Sequence, residues 1–205
     1  VKVFGAWRDW AAARRDLSAR LRPDTVVALS EAYEFAGAWH ADQVRPAGEP
    51  YVWHLLEVLE IAYKVGRLVD PDSLRAALLH DVVEDTPVTA EQVKVNFGAS
   101  TAELVGWLTK PAPAPGQASE QLRARYLERF ASAPPAARLI KLADRYSNVQ
   151  RLDTHPRPAK RRAYYLETRE HFLPLAAATP AFAELFDEWD RTFAHLAQVE
   201  PREVP

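Results

Sequence analysis

The chain has 205 residues, 48% hydrophobic and 26% charged, a composition that excludes a disordered tail and suffices for a buried core. Its formal net charge of −2 argues against a broad basic surface for nucleic acid, and the absence of cysteine excludes disulfides, thiolate metal sites and a cysteine nucleophile. Any metal must therefore be held by nitrogen and oxygen, and no apolar run approaches the roughly 20 residues that span a bilayer.

Only 7 glycines are present. No Asn-Gly or Asp-Gly hairpin signal occurs, and apolar residues recur at three- and four-residue spacings, so the expectation is an all-α protein. Residues 6–22 and 24–43 read as amphipathic helices parted by Arg22-Pro23-Asp24, with the proline stopping the first and the aspartate capping the second. The turn-rich stretch from Arg45 to Pro50 leads into a helix over 51–65, which sets His54, Val58 and Ile61 along one stripe. Asp70-Pro71 supplies a cap and a first-turn proline for a helix running through Leu74 to Val83, and Thr86-Pro87 ends it.

Thr89 with Gln92 forms a capping-box pattern, and Phe97-Gly98 supplies the stop of that helix. Alternating prolines make 110–116 a loop, read as a lid-like connection inside one domain. Further helices are expected over 119–131, 135–152, 158–178 and 180–198, the last opened by Thr179-Pro180. The length suits one domain over 1–205. The start from Val1 to Trp7 is unlike a secretory signal, so a soluble cytoplasmic protein is the expectation.

Three segments could carry chemistry. In His80-Asp81-Val82-Val83-Glu84-Asp85, helical spacing sets His80 above Glu84 and Asp81 above Asp85; neighbouring carboxylates repel unless a cation or proton compensates. A divalent metal would meet that need, and a solvated acidic helix end is the alternative. In Lys141-Leu142-Ala143-Asp144-Arg145-Tyr146-Ser147-Asn148, Asp144 and Asn148 share a face, and Asp144 is either a partnered core carboxylate or a surface salt bridge. His54 is either a hydrogen-bonded core histidine or a ligand. His40, His155, His171 and His195 are unclustered and receive no role, although His40 could pack near the site.

In chain order these segments are GEPYxxH ending at His54, HDxxED at 80–85, and KLADRxxN at 141–148. The combination resembles the HD-domain hydrolases of the RelA/SpoT group, most of all the small single-domain members, metazoan SpoT homologues among them. His40 to Arg45 is similar to the family's HxxQxR lead-in, and Phe97-Gly98, Leu104-Val105 and Thr109-Lys110 are similar to its FG, LV and TK positions. The resemblance covers about residues 25–175 and implies a compact helical HD-domain fold. It also implies a hydrolase without the nucleotide pyrophosphokinase domain of multidomain relatives.

Carried over by position, the resemblance makes His54, His80, Asp81 and Asp144 the metal ligands, with Mn²⁺ the family's usual metal and other divalent ions possible. It makes Glu84 and Asp85 the pair that positions and deprotonates the attacking water. The implied substrate is a small nucleotide, guanosine tetra- or pentaphosphate, losing its 3′-pyrophosphate. Arg45 and Asn148 match nucleotide-binding positions, while Lys141 and Arg145 could add positive charge for phosphates. Neither nucleic acid nor membrane is an expected partner, and oligomeric state is left open. The chain departs from the common pattern at Pro46, Ala47, Leu55 and Tyr146-Ser147, which bears on the shape and charge of the nucleotide pocket. Two other readings compete: an HD phosphohydrolase of another nucleotide such as NADPH, and a module that senses a nucleotide without turning it over.

Overall fold

The computed structural model describes residues 1–112 and 119–198, and most of the 110–116 loop therefore lies outside the described residues. The regular secondary structure of the described residues is helical, without a strand; one isolated bridge joins Val44 to Pro50. The helices are α1 (Trp10–Ser18), α2 (Pro23–Trp39), α3 (Tyr51–Lys64), α4 (Pro71–Leu79), α5 (Val82–Asp85) and α6 (Ala90–Phe97). They continue with α7 (Ala99–Leu108), α8 (Ser119–Glu128), α9 (Pro135–Val149), α10 (Pro158–Glu167), α11 (Leu173–Ala176) and α12 (Pro180–Phe193). No helix among the described residues is long and apolar enough to cross a membrane.

The caps explain where several helices begin. Asp70 accepts from the Ser73 amide at 2.9 Å with Pro71 in the first turn, and Thr89 and Gln92 form the full capping box. At α2 the expected capping by Asp24 is not what occurs. Arg22 is the cap residue and Pro23 the first helical one, so Asp24 lies inside the first turn, where it favours the positive end of the helix and pairs with Arg22 at 2.9 Å.

Two differences from the periodic reading have tertiary causes. The first helix does not begin near residue 6, because Asp9 caps it and residues 1–7 pack as an extended arm with Phe4 and Trp7 buried. The arm's amides are satisfied by other helices: Phe4 N–H donates to Gln150 Oε1 at 2.7 Å, and those of Gly5 and Ala6 donate to Glu60 Oε2 at 3.0 and 3.1 Å. The helix expected over 158–178 is interrupted by a π turn at Thr168–Phe172. Pro174 has no amide for the carbonyl four residues back, and its ring crowds that carbonyl, so the Leu173 amide reaches back to Thr168 instead. Helix α7 follows Gly98 directly and had no counterpart in the periodicity reading.

At the centre lies α3, buried at every position from His54 to Tyr63 and packed against α4 and α9. Helix α2 covers α4, and α7 packs on α4 and α9. At the other end, Trp189 is fully buried, stacks on Tyr165 and donates its indole N–H to the Val149 carbonyl at 2.9 Å, tying α12 to the end of α9. This frame brings the start of α3, the end of α4 and the middle of α9 to one point.

Candidate metal centre and active site

Adjacent residues on a continuous helix point about 100° apart and do not face each other. The helix expected through Val83 is in fact broken after Leu79, with Asp81 at φ −103 and ψ −5, before α5 resumes at Val82. That turn lets two neighbours serve one site: Asp81 Oδ2 lies 2.9 Å from His80 Nε2. His54, one turn into α3, places its Nε2 3.2 Å from His80 Nε2 and 3.5 Å from Asp81 Oδ2. Asp144 on α9 completes the convergence, its Oδ1 3.5 Å from His54 Nε2 and 3.8 Å from His80 Nε2. Both imidazoles and Asp144 are buried.

Hydrogen bonding fixes both tautomers. His80 Nδ1 lies 2.9 Å from the Ala77 carbonyl, which only accepts, so that nitrogen carries the proton. His54 Nδ1 lies 2.9 Å from Ser147 Oγ, whose single proton is donated to the Glu57 carboxylate at 2.8 Å; Ser147 therefore accepts from His54. Two neutral imidazoles would aim their Nε2 lone pairs at each other beside two carboxylates, an arrangement that calls for a proton or a metal cation between them. Two nitrogen and two oxygen donors without sulfur fit a divalent ion of hard or borderline character.

The electrostatics state the same demand in protons. Burial opposes charge on His80, but the Asp81 and Asp144 carboxylates override it and push its pKa up to about 9. Burial likewise works against the charged forms of Asp81 and Asp144. The His80 and His54 imidazoles hold Asp81 below the usual carboxylate range, and Lys141, whose Nζ is 2.9 Å from Asp144 Oδ2, does so for Asp144.

The remaining expected residues surround this cluster, and every one of them except the deeper His80 lines a single cavity of about 330 Å³. Tyr51 donates its single hydroxyl proton to Asp81 Oδ2 at 2.5 Å, and Asp85 Oδ2 lies 3.2 Å from the same hydroxyl. Burial and these two acids push the Tyr51 pKa far above its ordinary range, so it stays a donor. Burial, together with the Asp81 and Glu84 charges, raises the Asp85 pKa. Glu84 instead turns toward Lys110, accepting from its amide at 2.9 Å and lying 3.3 Å from its Nζ.

Arg45 bonds Glu57 at 2.9 Å and the Asn148 side-chain oxygen at 3.4 Å, and Asn148 donates to Asp144 Oδ1 at 2.7 Å. Arg145 is buried, and each of its three guanidinium nitrogens donates at 2.7 Å, to Thr168 Oγ1, Glu167 Oε2 and the Tyr164 carbonyl. A larger open cleft of about 740 Å³ lies by α1 and the end of α3, lined by Arg15, Arg20, Lys64 and Arg67 with Asp16 as its one carboxylate. The metal-type donor cluster, not the volume, marks the candidate site.

Sequence reasoning passed over Glu57, Arg123, Tyr126 and Glu167. An acid three residues after His54 in an apolar helix was a usable signal for Glu57. Arg123 and Tyr126 reach the cavity only because α8 folds back, and Arg123 pairs there with Glu167, 44 positions away. With Arg123 and Arg145 on either side, and against the cost of burial, Glu167 is held at about 2 from its ordinary 4.5. A carboxyl so lowered contributes stability that is fully present above about pH 4.5 and is lost as pH falls toward 2. Glu167→Gln should therefore lower the melting temperature near neutrality and flatten its fall below pH 4.5, read by thermal melts across that range. Parallel acid limbs in parent and variant would contradict the assignment.

Comparison with known proteins bears on the fold and the family. A family model described as HD domain matches residues 32–182. The chain belongs to the HD-domain family, whose members are associated with a divalent metal. Within the family it is similar to proteins of the SpoT type: it is 38% identical over 183 residues to a guanosine-3′,5′-bis(diphosphate) 3′-pyrophosphohydrolase of Aquifex aeolicus, covering 89% of this chain and 26% of that protein. It is 38% identical over 159 residues to the bifunctional (p)ppGpp synthase/hydrolase SpoT of Escherichia coli K12, covering 76% of this chain and 22% of that protein. The chain thus spans about a quarter of the length of these curated relatives. A solved structure of a metazoan SpoT ortholog, described as hydrolysing ppGpp, superposes with a TM-score of 0.73 at 29% identity, covering 80% of this chain and 94% of that one.

Proposed function

We propose that the chain hydrolyses guanosine 3′,5′-bis(diphosphate) and its pentaphosphate counterpart, releasing pyrophosphate and leaving GDP or GTP. The observation that carries this reading is the convergence of two imidazole lone pairs and two carboxylates beside a shared Tyr51–Asp85 contact, in a cavity also lined by Arg45, Arg123, Lys141 and Arg145. The relatives' names supply the substrate class. In this reading His54, His80, Asp81 and Asp144 hold the metal, with Mn²⁺ as the proposed ion and the cytoplasm as the proposed compartment. A bound divalent cation supplies a lowered pKa for water and charge neutralisation on phosphate.

The chain's own groups supply the rest. Asp85, with its raised pKa, accepts the proton of the attacking water, and Tyr51 keeps the Asp85 and Asp81 carboxylates in register. Glu84 anchors Lys110 at the mouth of the site and adds the negative field that raises Asp85. Arg45 and Asn148 bind the nucleotide, Lys141 offers charge to its phosphates while steadying Asp144, and Arg145, held by its own partners in the cavity wall, contributes its field.

Incubating the purified protein with Mn²⁺ and ppGpp, pppGpp or NADPH, then resolving the products, tests the proposal. Pyrophosphate with GDP or GTP is expected. Orthophosphate from NADPH with the guanosine nucleotides untouched would replace this substrate with another, and tight binding without turnover would make the chain a sensor.

A further inference from the structure

We propose that Glu57 is a positioning residue that orients a metal ligand and the nucleotide-binding arginine together; this rests on the metal-site reading above. Glu57 sits one turn after His54 on α3 and is 1% exposed. Its Oε2 accepts from Ser147 Oγ at 2.8 Å, from Arg45 at 2.9 Å and from Gln150 Nε2 at 2.9 Å; its Oε1 accepts from Arg151 at 3.0 Å. The extended arm closes over it at Gly5, whose φ is +133 and where a Cβ would stand 3.1 Å from Glu57 Oε1, so only glycine fits that approach.

A buried carboxylate is costly unless fully partnered, and this one is partnered from the Arg45 turn and from α9 and the residues that follow it. Neutralising arginines would not require the Ser147 link. That link imposes a direction: an acceptor-only carboxylate takes the Ser147 proton, Ser147 must then accept from His54 Nδ1–H, and His54 Nε2 is left as a lone pair facing His80. The same oxygen that receives Ser147 holds Arg45 against the cavity. Glu57 thereby couples the ligand's tautomer to the placement of the guanidinium.

The two arms can be separated. Ser147→Ala cuts the path to His54 and leaves the Arg45–Glu57 pair, whereas Glu57→Gln disturbs both. Mn²⁺ affinity is read by calorimetry on metal-stripped protein, and KM for ppGpp is read at saturating Mn²⁺. Ser147→Ala should weaken Mn²⁺ binding about 10-fold with KM unchanged, and Glu57→Gln should weaken Mn²⁺ binding similarly and raise KM as well. Ser147 is a small side chain, so its variant decides the question even if Glu57→Gln fails to fold. Parent-like Mn²⁺ affinity in a folded Ser147→Ala overturns the relay while leaving the hydrolase reading standing. A parent protein that takes up no Mn²⁺ overturns that reading, and the relay with it.

Discussion

Replacing Glu84 by Gln together with Asp85 by Asn is expected to lower turnover by about 10²- to 10⁴-fold, the range of a lost general base, while one equivalent of metal per chain is retained. Amides keep the shape and hydrogen-bonding reach of the acids but cannot take a proton at neutral pH. Neither residue belongs to the cluster of His54, His80 and Asp81 or is the Asp144 that approaches His54 beside it, so the proposed donors for the ion are untouched. The two acids are not equivalent. Asp85 shares Tyr51 with Asp81 and has a raised pKa from burial and two neighbouring acids, whereas Glu84 is drawn to Lys110. Asp85→Asn alone should therefore carry most of the loss, and Glu84→Gln alone the smaller share. Steady-state pyrophosphate release, with metal content by elemental mass spectrometry on the same samples, reads both; a double variant as active as the parent would remove Asp85 from the mechanism.

The second large effect is expected at the proposed ligands. His80→Ala should leave the protein without stoichiometric metal after dialysis and without measurable pyrophosphate release, and Asp144→Ala should do the same. His80 Nε2 is within 3.2 Å of His54 Nε2 and 2.9 Å of Asp81 Oδ2, so its removal takes away a donor from the centre of the cluster. It also strips the half-buried Asp81 of its nearest imidazole, which costs stability beyond the lost donor. Asp144 also holds Lys141 and Asn148, so its loss frees two groups lining the cavity as well as removing a proposed donor. A full equivalent of metal in both dialysed variants would disprove the ligand set.

Much of the fold was legible in the chain. Asp70-Pro71 and the Thr89–Gln92 pair work as local signals because a cap satisfies amides within its own turn. The all-α class followed from spacing, and the HD-domain fold from the resemblance that the three motif blocks carry. Less legible were the features whose partners are remote in sequence. The arm over 1–7 is extended because Gln150 and Glu60 take its amides, and no window of periodicity contains those partners. The break at His80–Asp81 was hidden because HDxxED suits helical spacing, yet one helix could not have aimed adjacent side chains at one point. Arg123 met its partner Glu167 only through the path of α8 and α10.

The sequence by itself determined which groups are available for chemistry: no sulfur, two imidazoles within short motifs, and acids at set positions after them. It also determined the helical frame, because capping and apolar spacing act over one or two turns. Only the tertiary structure decided how those groups are used, that Tyr51 joins Asp81 to Asp85, that Glu84 faces Lys110, and that Glu57 reaches His54 through Ser147. The reason is physical. A hydrogen bond between side chains depends on angstrom-scale placement of helices that meet far apart in the chain, and that placement is set by the packing of the whole core around α3.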